Sequence, residues 1–422
     1  MTSEASISVL DDYCLEHIFS FLEILDQYNI GKAYPEFKAI IKRIIGKDLF
    51  IFNELCGCTS LPEATEFLTE YGPAIKKILL TLGAVQKTHD FYFLIPTHCH
   101  NIEEFQYYFP YPLDDKMMEM TFEASKNIKV LYWNQSQLSD DQSLLISNLK
   151  ELESLDIEMS GEITGLHLNK LTKLKELNIE GCGGFTSEHF IDLCKATKLK
   201  RLNIIDCLSL DQAAFDALLK TQTDLEEIAI NRCYQKANVN LLVHLPNLRR
   251  VHISWYSHKA GVETDLVNLL AQHHSEALQT LQIYSPENLS ETKRAGILKM
   301  INLRRLSLIK DGMLDDEFLK KISRRCSKLE AIDIRYSMNV TVEGIIELVK
   351  NLKDLCYLDL RSCELFDDSL YPKLVEVKRN CQGSKSLKVF VSDTGLKEES
   401  FRDSADYLAL RRFVELSFDT EE

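Results

Sequence analysis

A six-position pattern, apolar-x-x-apolar-x-apolar, recurs from residue 75 almost to the end of this 422-residue chain and restricts its folding more than any other feature. It runs Leu174-Lys175-Glu176-Leu177-Asn178-Ile179, then Leu199-Lys200-Arg201-Leu202-Asn203-Ile204, then Leu225-Glu226-Glu227-Ile228-Ala229-Ile230. Further copies open at Leu248, Leu278, Leu303, Leu329, Leu355 and Leu387. Upstream, Leu152 opens a good copy and Ile75, Ile102 and Ile128 open degenerate ones, while Leu410-Arg411-Arg412-Phe413 looks like a closing half-unit. Successive starts are 27, 26, 24, 22, 25, 26, 23, 30, 25, 26, 26, 32 and 23 residues apart. A run of such gaps is no accident, and its length matches a solenoid with one strand per unit.

Side chains of a strand alternate between faces, so the fourth and sixth positions point inward and the third, fifth and seventh face out. The rest of each unit is helical in pattern. Phe190, Leu193 and Cys194 fall at i, i+3 and i+4 behind Ser187, a candidate N-cap. Asp211 to Lys220, with Phe215, Leu218 and Leu219, and Asp315 to Ser323, with Phe318, Leu319 and Ile322, repeat the arrangement. A single unit cannot bury its apolar face, so units must stack. Strands pack closer together than helices do, which bends the stack with the strands inside. The Leu-x-x-Leu-x-Ile-x-x-Cys units resemble the cysteine-containing subclass of leucine-rich repeats over about residues 75 to 416. The fold class expected is α/β: a leucine-rich-repeat solenoid (horseshoe) with a parallel concave sheet, preceded by a small three-helix module. Cys182, Cys207, Cys233 and Cys363 share one offset in their units, where a small buried apolar group is wanted, so the cysteines are expected as core thiols.

Residues 1–48 stand outside the repeat, 49–74 are expected as a helical linker and cap, 75–416 as the solenoid and 417–422 as an acidic tail. Leu15, Ile18, Phe19 and Leu22 form one helical stripe; Asp26 can cap a second helix with Ile30 and Ala33 inward. Pro35 suits the first turn of a third, whose face is Phe37, Ile40, Ile41 and Ile44 and which Gly46 can end. Phe21, Cys14 and Leu10 lie off the first stripe, leaving apolar surface for a partner. The string Leu10-Asp11-Asp12-Tyr13-Cys14-Leu15-Glu16-His17-Ile18-Phe19-Ser20-Phe21-Leu22, followed by Leu25-Asp26, resembles an F-box, with Asp11 where proline is usual and Phe37 where tryptophan is frequent. That resemblance implies docking onto the Skp-type adaptor, and through it a cullin, by Leu10, Leu15, Ile18, Phe19, Phe21 and Leu25. It implies a substrate receptor of a ubiquitin ligase that is not itself an enzyme and needs no cofactor. The alternative is a repeat scaffold or inhibitor that wraps a protein partner without ubiquitylation.

The formal net charge of −15, from 49 basic against 64 acidic residues, disfavours nucleic acid and anionic membranes as general partners. No stretch reaches the length of a membrane helix, and Met1 to Ser8 does not read as a signal peptide, so the expected location is cytosol or nucleus. Outward strand positions are acidic or amide early (Asp156, Glu158, Glu176, Asn178, Glu180) and basic or aromatic later (Arg250, His252, Tyr284, Arg305, Arg335, Tyr357, Arg361, with Trp255 and Tyr256 just beyond a strand). Arginine and aromatic residues anchor interfaces, so an acidic or phosphorylated protein segment is the expected substrate contact. The other reading is that Asp333 and Asp359 simply pair with these arginines. No metal site is expected: Cys56-Gly57-Cys58 and His98-Cys99-His100 lack ligand spacing. Gly181-Cys182-Gly183-Gly184 and Gly31-Lys32 match no phosphate loop.

Overall fold

In the computed structural model the described residues are 7, 10–81, 90–108, 115–134, 138–231, 237–254, 265–284, 288–381, 383–401 and 404–419, with the side chains of 56 and 58 left aside. They form two compact units, residues 1–199 and 200–422. Both are leucine-rich-repeat stacks of the α/β class, each with a parallel sheet whose strands follow chain order.

The first unit opens with three helices, α1 (Asp12–Phe19), α2 (Ile24–Ala33) and α3 (Lys38–Lys47), a 3-10 turn at Pro35–Phe37 leading into the third. Its strands are β1 (Leu49–Ile51), β2 (Lys77–Thr81), β3 (Glu104–Tyr108), β4 (Val130–Asn134), β5 (Ser154–Asp156) and β6 (Glu176–Asn178). Between them lie α4 (Phe52–Cys58), α5 (Leu61–Tyr71), α6 (Leu94–His98), α7 (Asp115–Ala124) and α8 (Asp140–Ile146), and α9 (Ser187–Ala196) follows. The sheet starts one unit before the sequence pattern does. Phe50 pairs with Ile78, so β1 lies inside the segment expected to be wholly helical. Asn53 extends that pairing: its side-chain amide accepts from the Thr81 N–H at 2.9 Å and donates to the Thr81 carbonyl at 2.5 Å. In the units opened by Ile102 and Ile128, aromatic residues fill inward sites. Trp133 stacks on Tyr107 at 4.6 Å and on Phe105 at 6.3 Å.

The second unit holds β7 (Arg201–Asn203), β8 (Glu227–Asn231), β9 (Arg250–Ser254), β10 (Thr280–Tyr284), β11 (Arg305–Ile309), β12 (Ala331–Asp333), β13 (Tyr357–Asp359), β14 (Leu387–Phe390) and β15 (Val414–Ser417). Its helices are α10 (Gln212–Thr221), α11 (Leu266–His273), α12 (Glu291–Ile297), α13 (Asp316–Arg325), α14 (Val342–Asn351), α15 (Leu370–Asn380) and α16 (Ala405–Leu410). Short polar side chains start the helices: Asp211, Asp315 and Thr341 each accept from the N–H three residues on, satisfying donors that have no partner inside the helix. In α9 the cap is Thr186, one residue before the expected Ser187. Inward positions are buried as expected, among them Leu177, Ile179, Leu306, Leu308, Leu358 and Leu360, with Phe190, Phe215 and Phe318 from the helices.

The last two copies start elsewhere than Leu387 and Leu410. Leu358, a fourth position, pairs with Val389, and Val389 pairs with Leu416, so the units begin at Ser386 and Phe413. The run Leu387-Lys388-Val389-Phe390-Val391 is apolar enough to accept either phase. Among the described residues no helix is long and apolar enough to cross a membrane.

The shared cysteine offset has a physical cause. Cys182 donates its thiol to the Ile157 carbonyl at 3.2 Å and Cys363 to the Ile334 carbonyl at 3.3 Å, each to the sixth position of the preceding unit. Burial pushes both thiols up to about 12. Cys207 is equally buried, and Cys233 lies outside the described residues.

Candidate functional site

Two surfaces could receive a partner, one in each unit. In the first unit, α1 begins at Asp11, whose carboxylate accepts the Cys14 N–H at 2.8 Å. That hydrogen bond holds the carboxyl below its ordinary value and makes the departure from proline a helix cap. Leu15 and Phe19 turn inward, Phe19 meeting Phe37 edge-on at 5.3 Å. Ile40, Ile41, Ile44 and Ile45 of α3 close that core. The second helix packs through Gln27, Tyr28 and Gly31; Ile30 is half-buried and Ala33 exposed, contrary to expectation. Gln27 is buried because it is a tie: its Nε2 donates to the carbonyls of Phe19 at 3.1 Å and Leu22 at 3.0 Å, where α1 ends. The helix itself starts after Glu23 rather than at Asp26, and α3 runs past Gly46 to Lys47.

The opposite side of α1 carries exposed apolar side chains. Tyr13 is 83% exposed, Phe21 77%, Ile18 40% and Leu10 39%. Positions 13, 14, 17 and 18 share one face of α1, and Phe21, in the turn just past the helix, lies against the His17 ring at 5.0 Å. Charges flank it, with Arg43 reaching Asp12 at 2.8 Å and Glu16 at 3.1 Å. Of the six residues expected to contact an adaptor, Leu10, Ile18 and Phe21 are at the surface and Leu25 is half-buried. Leu15 and Phe19 are core residues. Tyr13 shares this exposed face, and its place off the buried stripe is the signal for that in the sequence.

In the second unit, register lines the outward residues up in rows across the sheet. Arg250, Thr280, Arg305, Ala331 and Tyr357 form one row, and His252, Gln282, Ser307, Asp333 and Asp359 the next. Small side chains in the middle, Thr280, Ser307 and Ala331, leave a hollow of about 590 Å³ between the larger flanks. Glu227 stands at one end, where Arg250 donates to it at 2.6 Å and His252 approaches at 3.3 Å. Burial works against its charge, yet the bonds from His252 and Arg250 prevail and hold its carboxyl near 2. At the other end Arg335 contacts both carboxylate oxygens of Asp333, at 2.9 to 3.2 Å.

The expected contact residues therefore separate. Arg250, His252, Arg305, Arg335 and Tyr357 line the hollow. Tyr284 sits at the end of its strand beneath the Lys310 ammonium, 5.4 Å from the ring centre. Arg361 is only 5% exposed and is engaged with the fully buried Asp359, at 2.6 Å for the shorter contact. It holds the protein together rather than facing a ligand. Trp255 and Tyr256 lie outside the described residues. In the first unit, Asn178 bonds Asp156 at 2.9 Å and Glu158 at 3.4 Å. Burial raises both carboxyls, and repulsion from Asp156 and Glu180 raises Glu158 further.

No protein-family model matches the sequence, and no curated protein matches it. Solved structures that match the chain include two of low similarity. One is an internalin of Listeria monocytogenes, at 17% identity and a TM-score of 0.41, over 74% of this chain and 90% of that one. Another is the yeast Rad7 and Elc1 complex, at 15% identity and a TM-score of 0.44, over 99% of each chain. The fold assignment rests on the register and burial above.

Proposed function

We propose that this chain is the substrate-recognition subunit of a cullin-type ubiquitin ligase. Its N-terminal module, within residues 1–48, docks the Skp-type adaptor, and the repeats that follow hold a protein substrate on their strand face. The observation that supports the reading is the exposed apolar surface formed by α1 and the turn that follows it. Tyr13, Ile18 and Phe21 face away from a module whose own core is already closed by Leu15, Phe19 and Phe37. Large apolar groups clustered at a surface are unfavourable in water unless a partner covers them. The contact set is Leu10, Tyr13, Ile18 and Phe21. Substrate contact falls to Arg250, His252, Arg305 and Tyr357. Ligation chemistry belongs to other subunits, and this chain works by proximity, raising the local concentration of substrate.

The test is co-purification of the full chain with a Skp-type adaptor, against the variants Phe21→Asp and Ile18→Asp. Both side chains are exposed, so the fold survives their replacement. Adaptor retained by the native chain and lost from both variants supports the reading. No adaptor with the native chain removes the ubiquitin assignment and leaves a repeat scaffold that binds its partner without ubiquitylation.

A further inference from the structure

The cations of the hollow in the second unit differ in one respect that sequence hides. Arg250 and His252 meet Glu227, and Arg335 meets Asp333. Arg305 is exposed, its cross-strand neighbours are Thr280 and Ala331, and among the described residues no carboxylate pairs with it. It is flanked by small or neutral groups and stands at the middle of the hollow.

We infer that this hollow receives an extended peptide segment of a protein partner, with one aspartate or glutamate side chain seated on Arg305. The inference rests on the reading that the strand face of this unit binds a protein. Length favours a peptide: lining residues run from Glu227 on β8 to Tyr357 on β13. Five strand spacings of roughly 4.8 Å make about 24 Å, the span of about seven extended residues. Charge favours a single carboxylate. One guanidinium without an internal partner matches one carboxylate, which it can grip through two parallel hydrogen bonds. A phosphate dianion would instead meet one such cation among the carboxylates of Glu227, Glu330 and Asp333, all of which line the hollow. Thr280 and Gln282 on the floor offer hydrogen bonds to a peptide backbone, while the Ser307 hydroxyl already donates to Asp333 at 2.9 Å. The specificity-determining arginine is thus Arg305; Arg335 and Arg361 keep the carboxylates they already hold.

The experiment selects phage-displayed random twelve-residue peptides on the full chain, then measures the selected synthetic peptides against variants. The expected result is peptides sharing one acidic position. Their affinity falls roughly tenfold or more with Arg305→Glu and is unchanged with Arg325→Glu, the same charge change on α13. Replacing the acidic residue by phosphoserine gives no tighter binding. Absence of any selected peptide overturns both this inference and the reading beneath it. Peptides that lose binding when Ala331→Trp fills the floor, yet are indifferent to Arg305→Glu, leave the docking face standing and overturn the anchor. Tighter binding of the phosphoserine form overturns the carboxylate assignment.

Discussion

The eighth position of each unit decides how a strand ends. Wherever that position is described from Leu152 onward, its backbone is left-handed: φ is 60° at Met159, 73° at Gly181, 58° at Asp206, 61° at Lys310, 63° at Tyr336, 59° at Ser362 and 56° at Asp393. The turn lets its N–H donate to the seventh-position carbonyl of the next unit, as Met159 does to Glu180 at 2.7 Å and Tyr336 to Arg361 at 3.1 Å. A side chain there costs about 1 kcal/mol that glycine avoids. Met159 is 65% exposed and loses little packing on truncation. Met159→Gly should therefore raise the free energy of unfolding, by up to about 1 kcal/mol. Gly181→Ala should lower it, because the new methyl would lie 2.6 Å from the Met159 sulfur. Equilibrium urea denaturation measures both, and a stabilising Gly181→Ala would contradict the account. Nothing in a string of Met, Gly, Asp, Lys, Tyr, Ser and Asp announces a shared conformation, so this position was not legible. The ninth was, because cysteine marks it. Arg361 was misread because outward positions near the strand ends become covered, and alternation alone does not reveal the cover.

At the scale of elements, inward apolar spacing located β2 to β13, since a fourth and a sixth position leave one phase open. That signal fails where apolar residues are contiguous, as around Val389, or replaced by Phe50 in a short strand. What adds precision to the stacking is a charge ladder at the second position. In the first unit Lys76 meets Glu103 at 3.1 Å, Glu103 meets Lys129 at 2.9 Å, and Glu153 meets Lys175 at 2.6 Å. In the second, Arg304 meets Glu330 at 2.6 Å. Hydrogen bonds from Lys129 and Lys76 hold the Glu103 carboxyl below its ordinary value. Such exposed pairs contribute modestly, about 0.2 to 1 kcal/mol each, but opposite signs in one order also disfavour a slipped stack. Glu103→Lys, which sets three lysines side by side, should destabilise the protein by about 1 to 2 kcal/mol at low salt. Molar salt should remove most of that loss by screening. Denaturation at two ionic strengths checks this, and a loss independent of salt would show that packing, not charge, is responsible.

For the whole molecule, the repeat class was legible early because a solenoid writes its period into the sequence. The candidate surfaces were legible only in outline. Sequence grouped Leu15 and Phe19 with Ile18 and Phe21, and burial divides them into a core and a face. It grouped Arg305 with Arg335 and Arg361, and pairing divides them again. In both cases the decisive property is what a side chain already touches. On the proposed function, the α1 face docks an adaptor while the strand face of the second unit remains available. Hydrogen–deuterium exchange of the full chain, with and without a saturating Skp-type adaptor, tests this most directly. The predicted result is slowed exchange across residues 12–34 with no change across 303–361. Unchanged exchange in the N-terminal module, or protection confined to the repeats, would contradict it.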